Sequence, residues 1–281
     1  MNNELKMITT LNQRLKGHGF CLPIASLLIQ KDIEAYCDIK NDEDLIKQIT
    51  IKTMLPYSRI MQIISRYEHL KPFQKTNHFI VSALRSYYFE EYESAQIMLL
   101  LSLESILQQW LSKENNKFNK QYDWNIFTLK KNITEILKNT PTHHIRNLLN
   151  NYKEICNQYI DIFFKDTREQ TVIAGFNRHQ TAHFLHDVPI SQENIARACL
   201  FLDIISELIY CQENKYNNIS RFTYFDSVIE KHPPDINKER LQNYVNLEAD
   251  FMSCVQADIM RKNCIETNKK WLRSIKLHET V

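Results

Sequence analysis

Apolar positions recur along most of this chain at helical spacing. In SAQIMLLLSLESILQQWL, Leu99, Leu103, Ile106 and Trp110 follow one another at four, three and four residues. Leu100, Leu107 and Leu111 widen the stripe until most of the circumference is apolar, which predicts a central, well-buried helix. Upstream, NHFIVSALRSYYFEEY predicts a helix from about Thr76 to Phe89, with Phe79, Ala83 and Tyr87 on one face. Glu90 and Glu91 then suit the first turn of the next helix, where the backbone dipole favours negative charge. NIFTLKKNITEILKNT reads as a shorter helix closed by Pro141. THHIRNLLNNYKEICNQYIDIFFKD predicts a long one, with Leu148, Tyr152, Ile155, Tyr159 and Ile162 along one side. ISQENIARACLFLDIISELIYCQ predicts another, with Ser191 as N-cap, Leu202, Ile205 and Ile209 buried, and Glu193 and Asp203 suited to an exposed side.

The ends are less strongly patterned. Residues 1–66 carry weaker helical periodicity, broken at Pro56. ENKYNNISR is a polar, turn-rich link, and HPPD a definite break before a charged helical tail. The expected organisation is an N-terminal helical segment over 1–66, a helical bundle over 67–219 and a C-terminal helical extension over 220–281. The fold class is all-α, and the flanking segments are expected to pack on the bundle or on a partner.

Composition changes this picture in two places. The chain has three glycines, Gly17, Gly19 and Gly175, where an average protein of this length has several times more. Walker and dinucleotide-binding loops are therefore impossible, and the largest nucleotide-binding enzyme classes with them. Seven cysteines are scattered with no C-x-x-C pair, which reads as buried free thiols in a reducing cytoplasm. Net charge is +2, with 35 basic against 33 acidic residues, so charge alone neither supports nor excludes a nucleic-acid partner. The apolar run FCLPIASLLI has about half the length needed to cross a bilayer and is interrupted by Pro23; it reads as part of the folded domain, with no membrane role.

Candidate chemistry concentrates in NRHQTAHFLH, residues 177–186. Three readings fit. It is a polar loop joining two helices. Or it is a metal site, since His179, His183 and His186 are spaced four and three apart and Asp187 follows, although Gln180 stands where the zinc motif H-E-x-x-H has its glutamate. Or it serves metal-free phosphodiester chemistry, in which arginine supplies a permanent planar charge for phosphate and histidine moves a proton near neutrality.

The segment resembles the signature of HEPN domains: an arginine, a polar residue, a few more residues, then a histidine. Here these are Arg178, His179 and, four residues beyond, His183. The motif lies between two long predicted helices, after an upstream helix pair, which is similar to the order of the HEPN bundle over about 76–213. The resemblance implies a metal-independent endoribonuclease of toxin or phage-defence type, needing no cofactor. Two protomers would face one cleft, with an antitoxin or other defence-system protein as restraint. In that picture Arg178 stabilises charge on phosphorus, His183 is general acid or base, and His179 orients the phosphate. His186 is placed to share or replace the role of His183.

Glu104 sits on the apolar central helix and has two readings. It is a partly exposed or ion-paired structural residue, or a carboxylate that aligns Arg178. Trp110, Tyr87 and Tyr88 fit core positions better than base-stacking ones. The rival function is a HEPN-like module without catalysis that engages a partner protein or ligand.

Overall fold

The computed structural model describes residues 3–23, 30–114, 130–131, 133–134, 146–163, 190–213 and 238–278. All regular elements among them are helical, in line with the all-α expectation. The longer ones in chain order are α1 (Asn3–Leu15), α2 (Gln30–Asp38), α3 (Asp42–Thr53), α4 (Pro56–Ser65), the short α5 (Lys71–Gln74), α6 (Asn77–Tyr88), α7 (Tyr92–Glu114), α8 (Arg146–Phe163), α9 (Gln192–Glu213) and α10 (Lys238–His278). Helix α6 folds back along α7, and α7 packs on α9. Helix α3 also packs on α9, α1 on α8, and α10 lies against α4 and α6. One hydrophobic cluster runs through all of this, from Ile8 to Cys254, so both flanking segments pack on the bundle.

The central stripe behaves as its spacing requires: Leu99, Leu100, Leu103, Ile106, Leu107 and Trp110 are all buried. Ile155 and Tyr159 of α8, and Leu202, Ile205 and Ile209 of α9, are buried too. Ser191 caps α9, its Oγ accepting from the Asn194 N–H at 3.1 Å. Helix α6 is rotated by about one position from expectation. Ile80, Ala83, Leu84 and Tyr88 are buried, whereas Phe79 is 51% exposed. The reason is that α6 is packed by two helices, α7 and α10, and the Tyr88 ring meets Phe251 of α10 at 5.0 Å.

Scarce glycine shows in the α6–α7 turn. Phe89 is the C-cap of α6, and Glu90 takes a left-handed backbone with φ 60°. The Glu90 N–H donates to the Tyr87 carbonyl and the Glu91 N–H to that of Ser86, both at 2.9 Å. This is the Schellman closure with glutamate where glycine is usual. A Cβ in that region costs about 1–2 kcal/mol. Glu90→Gly should therefore raise stability by about 1 kcal/mol net of lost chain entropy and of the exposed ion pair to Lys262. Urea denaturation checks this; a loss of stability would mean that the ion pair matters more than the strain.

The FCLPIASLLI stretch begins inside the core, with Phe20, Cys21 and Leu22 buried. Asn12 brackets it, donating to the Leu22 carbonyl at 2.9 Å and accepting from its N–H at 2.7 Å. Just before, Gly19 adopts φ 69°, and its carbonyl accepts from the Tyr159 hydroxyl. Arg14 ties α1 to the start of α3 and to the link after α2, donating to Asp42 and to the carbonyls of Ile39 and Lys40. Among the described residues no helix is long and apolar enough to cross a membrane.

The core is rich in tyrosine. Burial, as the largest cause, raises the hydroxyls of Tyr36, Tyr67, Tyr87, Tyr88 and Tyr159 above their ordinary range. A raised folded value means that the contribution to stability is complete below the unfolded value of about 10 and is lost as pH climbs beyond it. Stability should hold up to about pH 10 and then fall steeply, with tyrosinate absorbance rising in step with loss of helical signal. A gradual tyrosinate titration of intact helices would contradict this.

Candidate functional site

Arg178, His179, His183 and His186 lie outside the described residues, and so does Asp187. What the structure does give is their frame. Helix α8 ends at Phe163 and α9 begins at Gln192, and the two helices are packed together in the bundle. Glu104 lies on α7, half-buried, and accepts a hydrogen bond from Gln108 Nε2 at 3.1 Å, one turn along the same helix. The pairing with Arg178, the other reading of Glu104, involves a residue outside the described set. Trp110 and Tyr88 are core residues, and Tyr87 is half-buried against Tyr88 and Tyr92.

The described residues bring together a different set of charges. Asp203 is 1% exposed, a correction to the exposed side expected from the sequence. Glu193, on the same helix, is exposed as expected. Asp203 is held by Arg59 of α4 in a fork, Nη2 to Oδ2 at 2.9 Å and Nη1 to Oδ1 at 3.4 Å. The Tyr67 hydroxyl also donates to Oδ1. Arg59 spends its Nε on the Thr53 carbonyl at 2.6 Å. One turn further along α9, Glu207 accepts from Arg66 Nη1 at 3.2 Å, and the same nitrogen reaches Ser206 Oγ at 3.4 Å. All four charged side chains are 5% exposed or less.

Spacing explains how the chain builds this. Arg59 and Arg66 are seven residues apart, two turns, and the second follows immediately on the end of α4. Asp203 and Glu207 are four apart and share one face of α9. Two cations, one on α4 and one at its C-cap, thus face two carboxylates on α9. Burial works against the Arg59 charge, but the Asp203 carboxylate more than offsets it and raises its pKa. Burial and then the Asp203 charge raise the Tyr67 hydroxyl, which keeps it a donor. Cys199 is pushed up to about 11, mainly by burial, so it is a thiol and not a nucleophilic thiolate.

A narrow cleft opens beside the pair, lined by Leu22, Ile49, Ser58, Gln62 and Leu200 together with Arg59 and Asp203. Buried Gln62 Oε1 has no hydrogen-bond partner among the described residues. No histidine is among the residues lining the cleft. The arrangement therefore clamps α4 to α9 and leaves the Gln62 acceptor for a small donor.

A carboxylate on an apolar helix is the signal that singles out Glu104. The same signal stands in ACLFLDIISELIY, where Asp203 and Glu207 interrupt an apolar run four residues apart. The two arginines gave a weaker signal, since a basic side chain on a short amphipathic helix is usually solvated. In comparisons with family models, curated proteins and solved structures nothing matches this chain, so its own residues carry the functional reading.

Proposed function

We propose that this protein is a metal-independent endoribonuclease of HEPN type, acting in a toxin or phage-defence setting in the cytoplasm. One observation carries the proposal: the sequence R-H-Q-T-A-H from Arg178 to His183 lies between the long helices α8 and α9 of an all-helical bundle. The chemistry needs no cofactor. His183 takes the proton of a ribose 2′-hydroxyl, the 2′-oxygen attacks the adjacent phosphorus, and the bond to the 5′-oxygen of the next nucleotide breaks. Arg178 neutralises the charge on the non-bridging oxygens, and His179 orients the phosphate. The products are a 2′,3′-cyclic phosphate and a 5′-hydroxyl end. His186 stands ready as the second proton-carrying group, and a homodimer would set two such segments at one cleft.

The test is incubation of the purified protein with transfer RNA and total RNA in EDTA. Cleavage with cyclic-phosphate ends is the expected result. Cleavage that EDTA abolishes would point to the histidine cluster as a metal site. Absence of cleavage would favour the second reading, a HEPN-like module that engages a partner.

A further inference from the structure

Helix α10 is apolar on two opposite sides. One side faces the bundle: Phe251, Cys254 and Asp258 are buried there, and Tyr244, Leu247 and Val255 pack partly against the core. The other side carries Val245, Ala249, Met252, Gln256, Ile259, Met260 and Asn263, all exposed. Wound at 3.6 residues per turn, these seven fall within an arc of about 100° and run for about 27 Å. Five of the ten large exposed hydrophobics of the described residues are on this one helix. None of the seven outer residues is charged, in a chain of which 24% is charged. A helix with two apolar faces has two partners to bury them against.

The spacing identifies the second partner. Val245, Met252 and Ile259 repeat every seven residues, and Ala249, Gln256 and Asn263 follow each of them by four. These are the d and a positions of a heptad seam. We propose that the outer face of α10 is a parallel, in-register coiled-coil interface with a second copy of this chain. Two observations favour a copy of itself over a different protein. The seam has no charge, so pairing each residue with itself brings no like charges together, and there is no charge to select a partner of opposite sign. Its central polar layer is an amide, and an amide carries both donor and acceptor, so Gln256 satisfies Gln256 across the seam. The antiparallel alternative sets Met252 against Gln256, leaving that amide opposite an apolar side chain. The seam needs no nuclease activity to form; in the nuclease reading it is the contact that joins the two protomers.

The test is sedimentation of the full chain across the micromolar range, with and without Met252→Glu and Ile259→Glu. The wild type should approach a dimer and the double variant should stay a monomer with unchanged helical signal. Register is read by Ile259→Cys under mild oxidation, which should give a covalent dimer that the wild type does not. Gln256→Lys, which sets like charges opposite each other, should weaken the dimer tenfold or more. A wild-type monomer overturns the proposal, as would a dimer that survives the double glutamate variant. A dimer that Ile259→Cys cannot cross-link overturns the parallel register. RNA cleavage by either form leaves the interface result unaffected, so the two readings fail separately.

Discussion

Asp203→Ala should destabilise the fold by about 3–5 kcal/mol, because it leaves the Arg59 guanidinium buried with no counter-charge. Typical domains have about 5–15 kcal/mol in total, so the variant is expected near its unfolding threshold. The cost does not measure what the ion pair contributes. Replacing both partners, Arg59→Met with Asp203→Leu, removes the uncompensated charge and should be markedly less harmful than Asp203→Ala alone, as with other buried pairs exchanged for apolar residues. Some penalty should persist, since the Tyr67 hydroxyl and the Thr53 carbonyl lose their partners. Urea denaturation of the single and double variants decides this. An Asp203→Ala cost below about 1 kcal/mol, with unchanged m, would mean that the cluster is solvated and that its burial has been misjudged.

Arg178→Ala and His183→Ala should each lower RNA cleavage, or toxicity on expression, by about a hundredfold or more while stability stays nearly unchanged. Arg178→Lys should also be poor, because a point charge does not replace the planar fork on phosphate. The three readings of the segment separate in one panel. A metal site predicts that His179→Ala and His186→Ala are as harmful as His183→Ala and that EDTA inhibits. A polar loop predicts no phenotype from any of them. Full cleavage by His183→Ala would falsify its assignment, provided the double variant with His186→Ala is also active.

The helices were legible wherever burial has a single direction. Leu99, Leu103, Ile106 and Trp110 repeat with the period of one face, and that face is in the core. Helix α6 was placed correctly but turned by one position, because a helix packed by two neighbours has a broad apolar arc whose centre the sequence leaves open. The error at Asp203 has a different origin. Polar residues are read as exposed, and that rule fails when a cation distant in the chain comes to meet them. Arg59 is 144 residues away from Asp203, and no local pattern ties the two. Of the expected site, Glu104 is the residue the structure describes, and it has the half-buried environment that its neighbours on α7 imply.

The clamp between α4 and α9 also bears on the order in which the chain can fold. Both arginines leave the ribosome early, and their carboxylates follow 144 and 141 residues later. At about 5–20 residues per second the N-terminal helices wait on the order of ten seconds before Asp203 and Glu207 arrive. Until then neither cation can enter the core without a counter-charge, so the first 66 residues should dock only once α9 is made, although they are made first. Helical proteins usually fold fast through local contacts; this one closes its polar core through a long loop and should fold more slowly than its helix content implies. Nascent chains arrested before Glu207 should remain protease-sensitive in residues 1–66, and those arrested well beyond Glu213 should be protected. Early protection would show that the N-terminal helices settle without their distant partners.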